Sequence, residues 1–230
     1  MSVTTDTSDA LERLLTERWS CRAFEPREVP RPQIERLLSL AQRSASWCNT
    51  QPWHVHITSG AGTERFRAAL AGYAGQAGAN LTPDFAPPLP YQGIYRERRR
   101  ESGWQLYEAV GISRGDREAS GRQSFKNYEL FGAPHAVVVT TDARQGVYGA
   151  VDAALYVGTF LLAAQSLGIA TIPQAALAMH SAFLHEYFSI PDDRKVLVGI
   201  SFGYPDLEHP ANGYRTSRAS LDEVINWVDA

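Results

Sequence analysis

A chain of 230 residues with 44% hydrophobic and 20% charged residues is enough for one α/β domain with a sizeable core and does not call for a second. Its net charge of −3 excludes a protein held to nucleic acid or to an anionic membrane by its overall field. The two cysteines, Cys21 and Cys48, lack metal-ligand spacing and make a poor disulfide, which suits a reducing, cytoplasmic setting.

Met1–Asp9 is polar and acidic, carries no secretory pattern and is expected to fray. Asp9 with Glu12 reads as a capping box opening a helix striped by Leu11, Leu14 and Leu15. Pro30-Arg31-Pro32 starts a second helix, with Ile34, Leu37, Leu38 and Ala41 on one face. The alternation of Trp53, Val55 and Ile57 with His54, His56 and Thr58 predicts a half-buried strand, its histidines facing outward. A short helix is expected over Thr63–Leu70. From Ala74 to Lys126 the pattern dissolves. Ala86-Pro87-Pro88-Leu89-Pro90-Tyr91 excludes regular helix, and Tyr95–Val110 regains helical potential while rich in arginine. Residues 74–123 therefore read as a lid-like excursion from a single domain spanning 1–230.

Ala136-Val137-Val138-Val139-Thr140 is a β-branched run suited to a central strand. Gly149–Gly168 is apolar nearly all round and close to bilayer length. Asp152, Gln165 and its alanines and glycines argue instead for a helix buried on several sides. A strand over Ile169–Ile172, a helix over Ser181–Phe188 and a strand over Val196–Phe202 follow, and Ser220 with Glu223 caps a last helix through Val228. That order predicts an α/β chain whose sheet is covered by helices.

For chemistry, the absences come first. No glycine-rich phosphate fingerprint, Gly-x-Ser-x-Gly elbow or third ligand beside His54 and His56 is present. A chain with no general base or nucleophile of its own fits an enzyme whose cofactor carries the reaction. Three polar segments offer to hold an anionic cofactor. Arg18-Trp19-Ser20-Cys21-Arg22 concentrates guanidinium and hydroxyl donors, Ser46–Trp53 adds amides and hydroxyls, and Arg215-Thr216-Ser217-Arg218 brings a second arginine pair. Arg218, just ahead of the expected last helix, is mildly unfavourable at a helix N-terminus unless an anion lies nearby.

Arg18 through Phe24, Asn49-Thr50-Gln51-Pro52-Trp53, the Gly203-Tyr204-Pro205 turn and Arg218 resemble the FMN-dependent nitroreductase family, over nearly the whole chain. The resemblance implies an α+β fold with a central mixed, largely antiparallel sheet, and a homodimer with intertwined subunits. It implies FMN as cofactor, NADPH or NADH as reductant, and a small aromatic substrate, with neither nucleic acid nor membrane as partner. Arg18, Ser20 and Arg218 would take the phosphate, beside Trp19 and with Arg215 at the rim. Arg22 would lie near N1 and O2 of the flavin, and Asn127, with Lys126 as competitor, at its pyrimidine edge. The loop through Pro173 and Gln174 would present the backbone N–H groups of Ala175 and Ala176 to N5. Ser46, Trp47 and Asn49 would reach the flavin of the partner subunit. Two departures stand out: Ala45 replaces a usual proline, and Ala175 and Ala176 replace an acidic residue and glycine. Trp53 reads as a core aromatic. Arg96-Glu97-Arg98-Arg99-Arg100 reads as a solvated face or, with Tyr91, Trp104 and Tyr107, as a roof for planar nitroaromatics or for the phosphates of a nicotinamide dinucleotide. Two-electron reduction of nitroaromatics or quinones by ping-pong steps leads. Reductive dehalogenation, flavin destruction, azoline oxidation or a non-catalytic flavin module remain open.

Overall fold

The computed structural model describes residues 3–76 and 80–228; the start of the expected frayed segment, Met1 and Ser2, and residues 77–79 of the excursion lie outside them. Helix α1 spans Val3–Glu17. No proline or glycine between Val3 and Asp9 stops the turn, so Asp9 and Glu12 lie inside the helix and the cap does not fall where expected. Leu11 and Leu15 of its stripe are each about half exposed. Helix α2, Arg31–Ala41, starts where Pro32 loses nothing by lacking an N–H, and it buries Ile34, Leu37 and Ala41.

Four strands form one sheet in the order β1-β2-β4-β3, with β1 Trp53–Thr58, β2 His135–Asp142, β3 Ala170–Gln174 and β4 Arg194–Gly203. Every pairing between them is antiparallel. The parallel step is the isolated bridge Ser20–Thr171 along the outer edge of β3. Strand β2 is central, and its apolar run is continuous because both faces are covered. Val137 and Val139 face α2 and the long helix α6, Gly146–Ser166, among Trp53, Tyr156, Phe160 and Phe202. Ala136 and Val138 face α3, Ala61–Ala74, together with α7, Ala175–Ala178, and α8, Ser181–Phe188. Trp53 is a core aromatic, stacked on Tyr156 at 5.2 Å between ring centroids.

Three expectations are corrected. Helix α6 is not buried on several sides: Tyr156 and Phe160 pack inward, while Val147, Tyr148, Val151 and Leu155 lie on an open face. The helix after Ser220 is a single 3-10 turn, Leu221–Glu223, although its capping box forms. Beyond it Trp227 and Val228 bury almost nothing, and a short helix without a packed face does not hold in water. His56 does not face solvent, because Phe188 of α8 covers that side of β1 at 5.6 Å and leaves its Nε2 buried without a partner. Burial lowers its pKa, aided by the neighbouring His54.

The excursion carries helices α4, Gly93–Ala109, and α5, Arg117–Phe125, the latter capped by the Asp116 carboxylate accepting from Ala119 N at 2.8 Å. Its root is pinned to the core. Thr82 N donates to Met179 O at 2.8 Å, and Asp84 accepts from Val196 N at 2.6 Å and from His185 Nε2 at 2.9 Å. The other ring nitrogen of His185 faces Ile190 O at 3.1 Å, so only the doubly protonated imidazole donates to both oxygens. Burial alone would lower its pKa, but the Asp84 and Ile190 hydrogen bonds and nearby Asp192 outweigh it and raise it.

Candidate functional site

The segment after α1 is laced along the edge of the sheet. Ser20 bridges Thr171, Cys21 N donates to Thr171 O at 3.0 Å, and Phe24 bridges Pro205 in the turn beyond β4. Cys21 is fully buried, and burial pushes its thiol up to about 11, so it anchors the strip and does no chemistry. Asn212, also buried, clamps the same strip: it accepts from Arg22 N at 2.8 Å and donates to Ala23 O at 2.9 Å and Asp206 O at 2.7 Å. This lacing carries Arg18, Ser20 and Arg22 alongside β3 and brings the distant Arg215–Arg218 stretch beside them.

Between them lies a cavity of about 650 Å³ whose wall includes Arg18, Trp19, Ser20, Arg22, Arg215 and Arg218. No carboxylate pairs with any of these four arginines among the described residues. Burial, then the charge of Arg218, lowers the pKa of Arg18. Arg18 and Arg218 thus repel one another at this wall. Arg215 stacks over Trp19, its Cζ 4.2 Å from the ring centroid, and donates to Asn212 O at 2.7 Å. Trp19 and Tyr214 contribute to this wall, while the Trp19 Nε1 and Tyr214 hydroxyl are themselves buried and have no hydrogen-bond partner among the described residues. The gathered cations, with the Trp19 ring beside them, form a site prepared for an anionic ligand.

Arg22 also lines a second cavity of about 210 Å³, with Asn127, Pro173, Gln174 and Ala175. Of the two competitors at the end of α5, Asn127 and not Lys126 is on this wall. Gln174 turns inward, donating to Asn127 O at 2.8 Å and Oδ1 at 3.3 Å and accepting from Ser201 Oγ. Pro173 is tolerated because β3 is an edge strand. Ala175 opens α7, and Ala176 is one residue further along its first turn, off the wall. The first amides of a helix have no acceptor within it, so both are available to a ligand. The single turn of α7 lies tight on β4: a Cβ at Gly199 would come within 2.4 Å of Leu177 Cδ2.

Ser46, Trp47 and Asn49 do not line either cavity. They form a separate loop in which Cys48, Asn49 and Gln51 all have positive φ, a strained backbone for residues other than glycine. The Asp152 carboxylate of α6 accepts from Trp47 N at 3.1 Å, and Ser46 Oγ accepts from Gln51 N at 3.0 Å. The Trp47 ring nonetheless stands 57% exposed, edge-on to Tyr148 at 4.5 Å. Residues the sequence reading passed over also shape the site. Ser102 joins the larger cavity, Gln123 the smaller one, and Asn212 holds the strip. None carries a sequence signal, being an isolated polar residue outside any motif. The Arg96–Arg100 run is solvent-exposed, with Arg98 paired to Glu223 at 2.9 Å and Arg99 over Tyr91.

The model of the nitroreductase family matches residues 15–204 of the chain. Nitroreductase NfnB of Mycolicibacterium smegmatis is 36% identical over 229 residues, covering 97% of this chain and 95% of that protein. A 4-nitrobenzoate reductase of Pseudomonas putida is 30% identical, covering 99% of this chain and 98% of that protein. The crystal structure of the FMN-dependent nitroreductase NfnB from Mycobacterium smegmatis in complex with NADPH superposes with a TM-score of 0.91. It shares 35% identity and covers 97% of this chain and all of that one, 100%.

Proposed function

The chain belongs to the nitroreductase family, and we propose that it is an FMN-dependent oxidoreductase that takes hydride from NADPH or NADH and reduces nitroaromatics or quinones in two-electron, ping-pong steps. One observation carries this reading. A cavity ringed by four uncompensated arginines is joined through Arg22 to a small cavity walled by amides. That is the pattern a phosphate tail and a polar heteroaromatic ring require together.

The residues present fit the cofactor. Arg18 and Arg218, with the Ser20 hydroxyl, would hold the phosphate, and Arg215 and Trp19 would close the rim. Arg22 would keep positive charge beside the edge of the ring that becomes electron-rich. Asn127 would sit at the pyrimidine edge, with Pro173 and Gln174 setting the loop whose Ala175 and Ala176 amides would serve the reactive nitrogen. When bound, FMN supplies the electron transfer itself, accepting a hydride equivalent from the nicotinamide and returning it to the substrate. Two electrons and two protons take a nitro group to nitroso with loss of water, and two more of each take the nitroso group to hydroxylamine. The chain contributes position, charge and donors rather than a catalytic side chain.

A second copy of the chain completes the picture. The open face of α6, the Leu11–Leu15 side of α1 and the exposed Trp47 ring form apolar surface of the kind a homodimer buries. The strained Ser46–Asn49 loop would then reach the cofactor of its partner. Helix α6 is long and apolar enough to cross a membrane, but its inner face already packs on the sheet and Asp152 serves the Trp47 loop. The whole chain is read as one domain whose 74–123 excursion roofs the site, placing Ser102, Tyr107 and Gln123 against the cavities. A cytoplasmic location suits its two free cysteines. The test is direct. Purified protein should show a yellow flavin spectrum that NADPH bleaches under argon and a nitroarene restores. Colourless protein that cannot be reconstituted with FMN overturns the proposal.

A further inference from the structure

A third cavity, of about 560 Å³, lies between α4 and the C-terminal segment. It continues from the arginine-ringed cavity, with which it shares Ser102, Thr216 and Arg218. Ile94, Arg98, Glu101, Ser102 and Gln105 recur at helical spacing, so one face of α4 walls it. The same helix carries Tyr107 to the cavity of about 210 Å³, read above as the place of the flavin ring. From Tyr107 back to Arg98 the helix axis advances about 14 Å. One helix therefore joins the ring site to a polar chamber that FMN does not fill.

Arg98 already holds an anion there. Its Nη2 donates to Glu223 Oε2 at 2.9 Å, and both side chains are exposed. An ion pair of that kind contributes little and gives way to a stronger anion. The Glu223 turn is lightly anchored, since Leu221, Val224 and Trp227 around it are all exposed. Arg218 donates only to Thr216 and Ser217 of its own segment and is taken by the FMN phosphate in the reading above. Arg98 is the cation this cavity has to itself.

Resting on the oxidoreductase reading, we propose that this cavity receives the adenosine end of the reductant and selects NADPH over NADH, with Arg98 exchanging Glu223 for the 2′-phosphate. The groups present match that ligand. A guanidinium is the side chain best shaped for phosphate oxygens, and a carboxylate such as Glu101, which now accepts from Ser217 Oγ at 3.4 Å, takes a ribose hydroxyl. Ile94 offers the base an apolar contact. NADH carries no anion at that position to displace the Glu223 carboxylate.

The FMN-loaded protein is titrated by calorimetry with adenosine 2′,5′-bisphosphate and with adenosine 5′-monophosphate. The bisphosphate should bind about tenfold more tightly, the effect of one charge-assisted contact. Arg98→Ala should abolish that difference and leave FMN affinity unchanged. Glu223→Gln removes the competing charge and should tighten the bisphosphate several-fold. In flavin reduction, Arg98→Ala should lower kcat/KM for NADPH and leave that for NADH as it was. Equal affinity of the wild type for the two probes overturns the assignment. So does a preference that survives in Arg98→Ala, or an Arg98→Ala that sheds FMN as well. Wild-type protein that takes up no FMN overturns the oxidoreductase reading itself, an outcome distinct from FMN-loaded wild type that fails to separate the two probes.

Discussion

Replacing Arg18 with alanine separates an anion site from a mere cluster of arginines. In the free protein Arg18 is half-buried, faces Arg218 and has no carboxylate to balance it among the described residues. Removing it takes away one desolvated charge and one repulsion, so the apoprotein should melt at the same temperature or higher. With FMN the sign reverses. A hydrogen bond to a charged group contributes about 1.5–3 kcal/mol, which corresponds to roughly a 10- to 150-fold weaker dissociation constant. Riboflavin, which lacks the phosphate, should bind wild type and variant alike. The assay is a fluorescence titration of apoprotein with each flavin at low and moderate salt. The FMN difference should shrink as salt rises, because Arg18 is only half-buried and its charge is partly screened. Equal losses for FMN and riboflavin would show that Arg18 supports the ring or the fold, and the phosphate assignment would then be wrong.

Gly199→Ala drives a methyl group into Leu177. It should cost about 1–3 kcal/mol, roughly 2–10 °C in thermal midpoint, and should weaken FMN binding as α7 shifts; wild-type flavin affinity at the lower midpoint would refute the link between β4 and that loop. Leu155→Glu places a charge on the open face of α6 and should give a monomer by sedimentation, with FMN lost alongside the partner's loop. A dimer that keeps its flavin would exclude that face as the interface. The His185–Asp84 tie should make stability pH-dependent in a defined direction. His185 has a raised pKa when folded, so its contribution is full below the unfolded value of about 6.5 and is lost as pH rises through the folded value. Half-buried His56 and buried His135 titrate in the opposite sense, so the readout is the difference between wild type and His185→Gln at pH 6 and pH 8. Identical pH slopes in the two proteins would refute it.

What the sequence made legible was local and periodic. The apolar positions of α2 and the β-branched run of β2 announced their elements because their side chains repeat with the backbone that carries them. Helix α8 appeared at its expected bounds for the same reason. Where periodicity misled, packing decided. The last helix failed because nothing covers Trp227 and Val228, and His56 turned out half-buried because Phe188 comes from another part of the chain.

At the site the division is similar. The arginine clusters at 18–22 and 215–218 were visible because anion binding selects a residue type that stands out in a sequence. Their convergence was not, since it depends on the Ser20–Thr171 bridge and the clamp of Asn212, contacts between residues remote along the chain. Gln123 and Asn127 are both unremarkable amides in the sequence; only the fold engages one and strands the other. Residue chemistry is written one position at a time. Which groups remain unpaired is a property of the whole packed chain, because each hydrogen bond made elsewhere removes a candidate from the site.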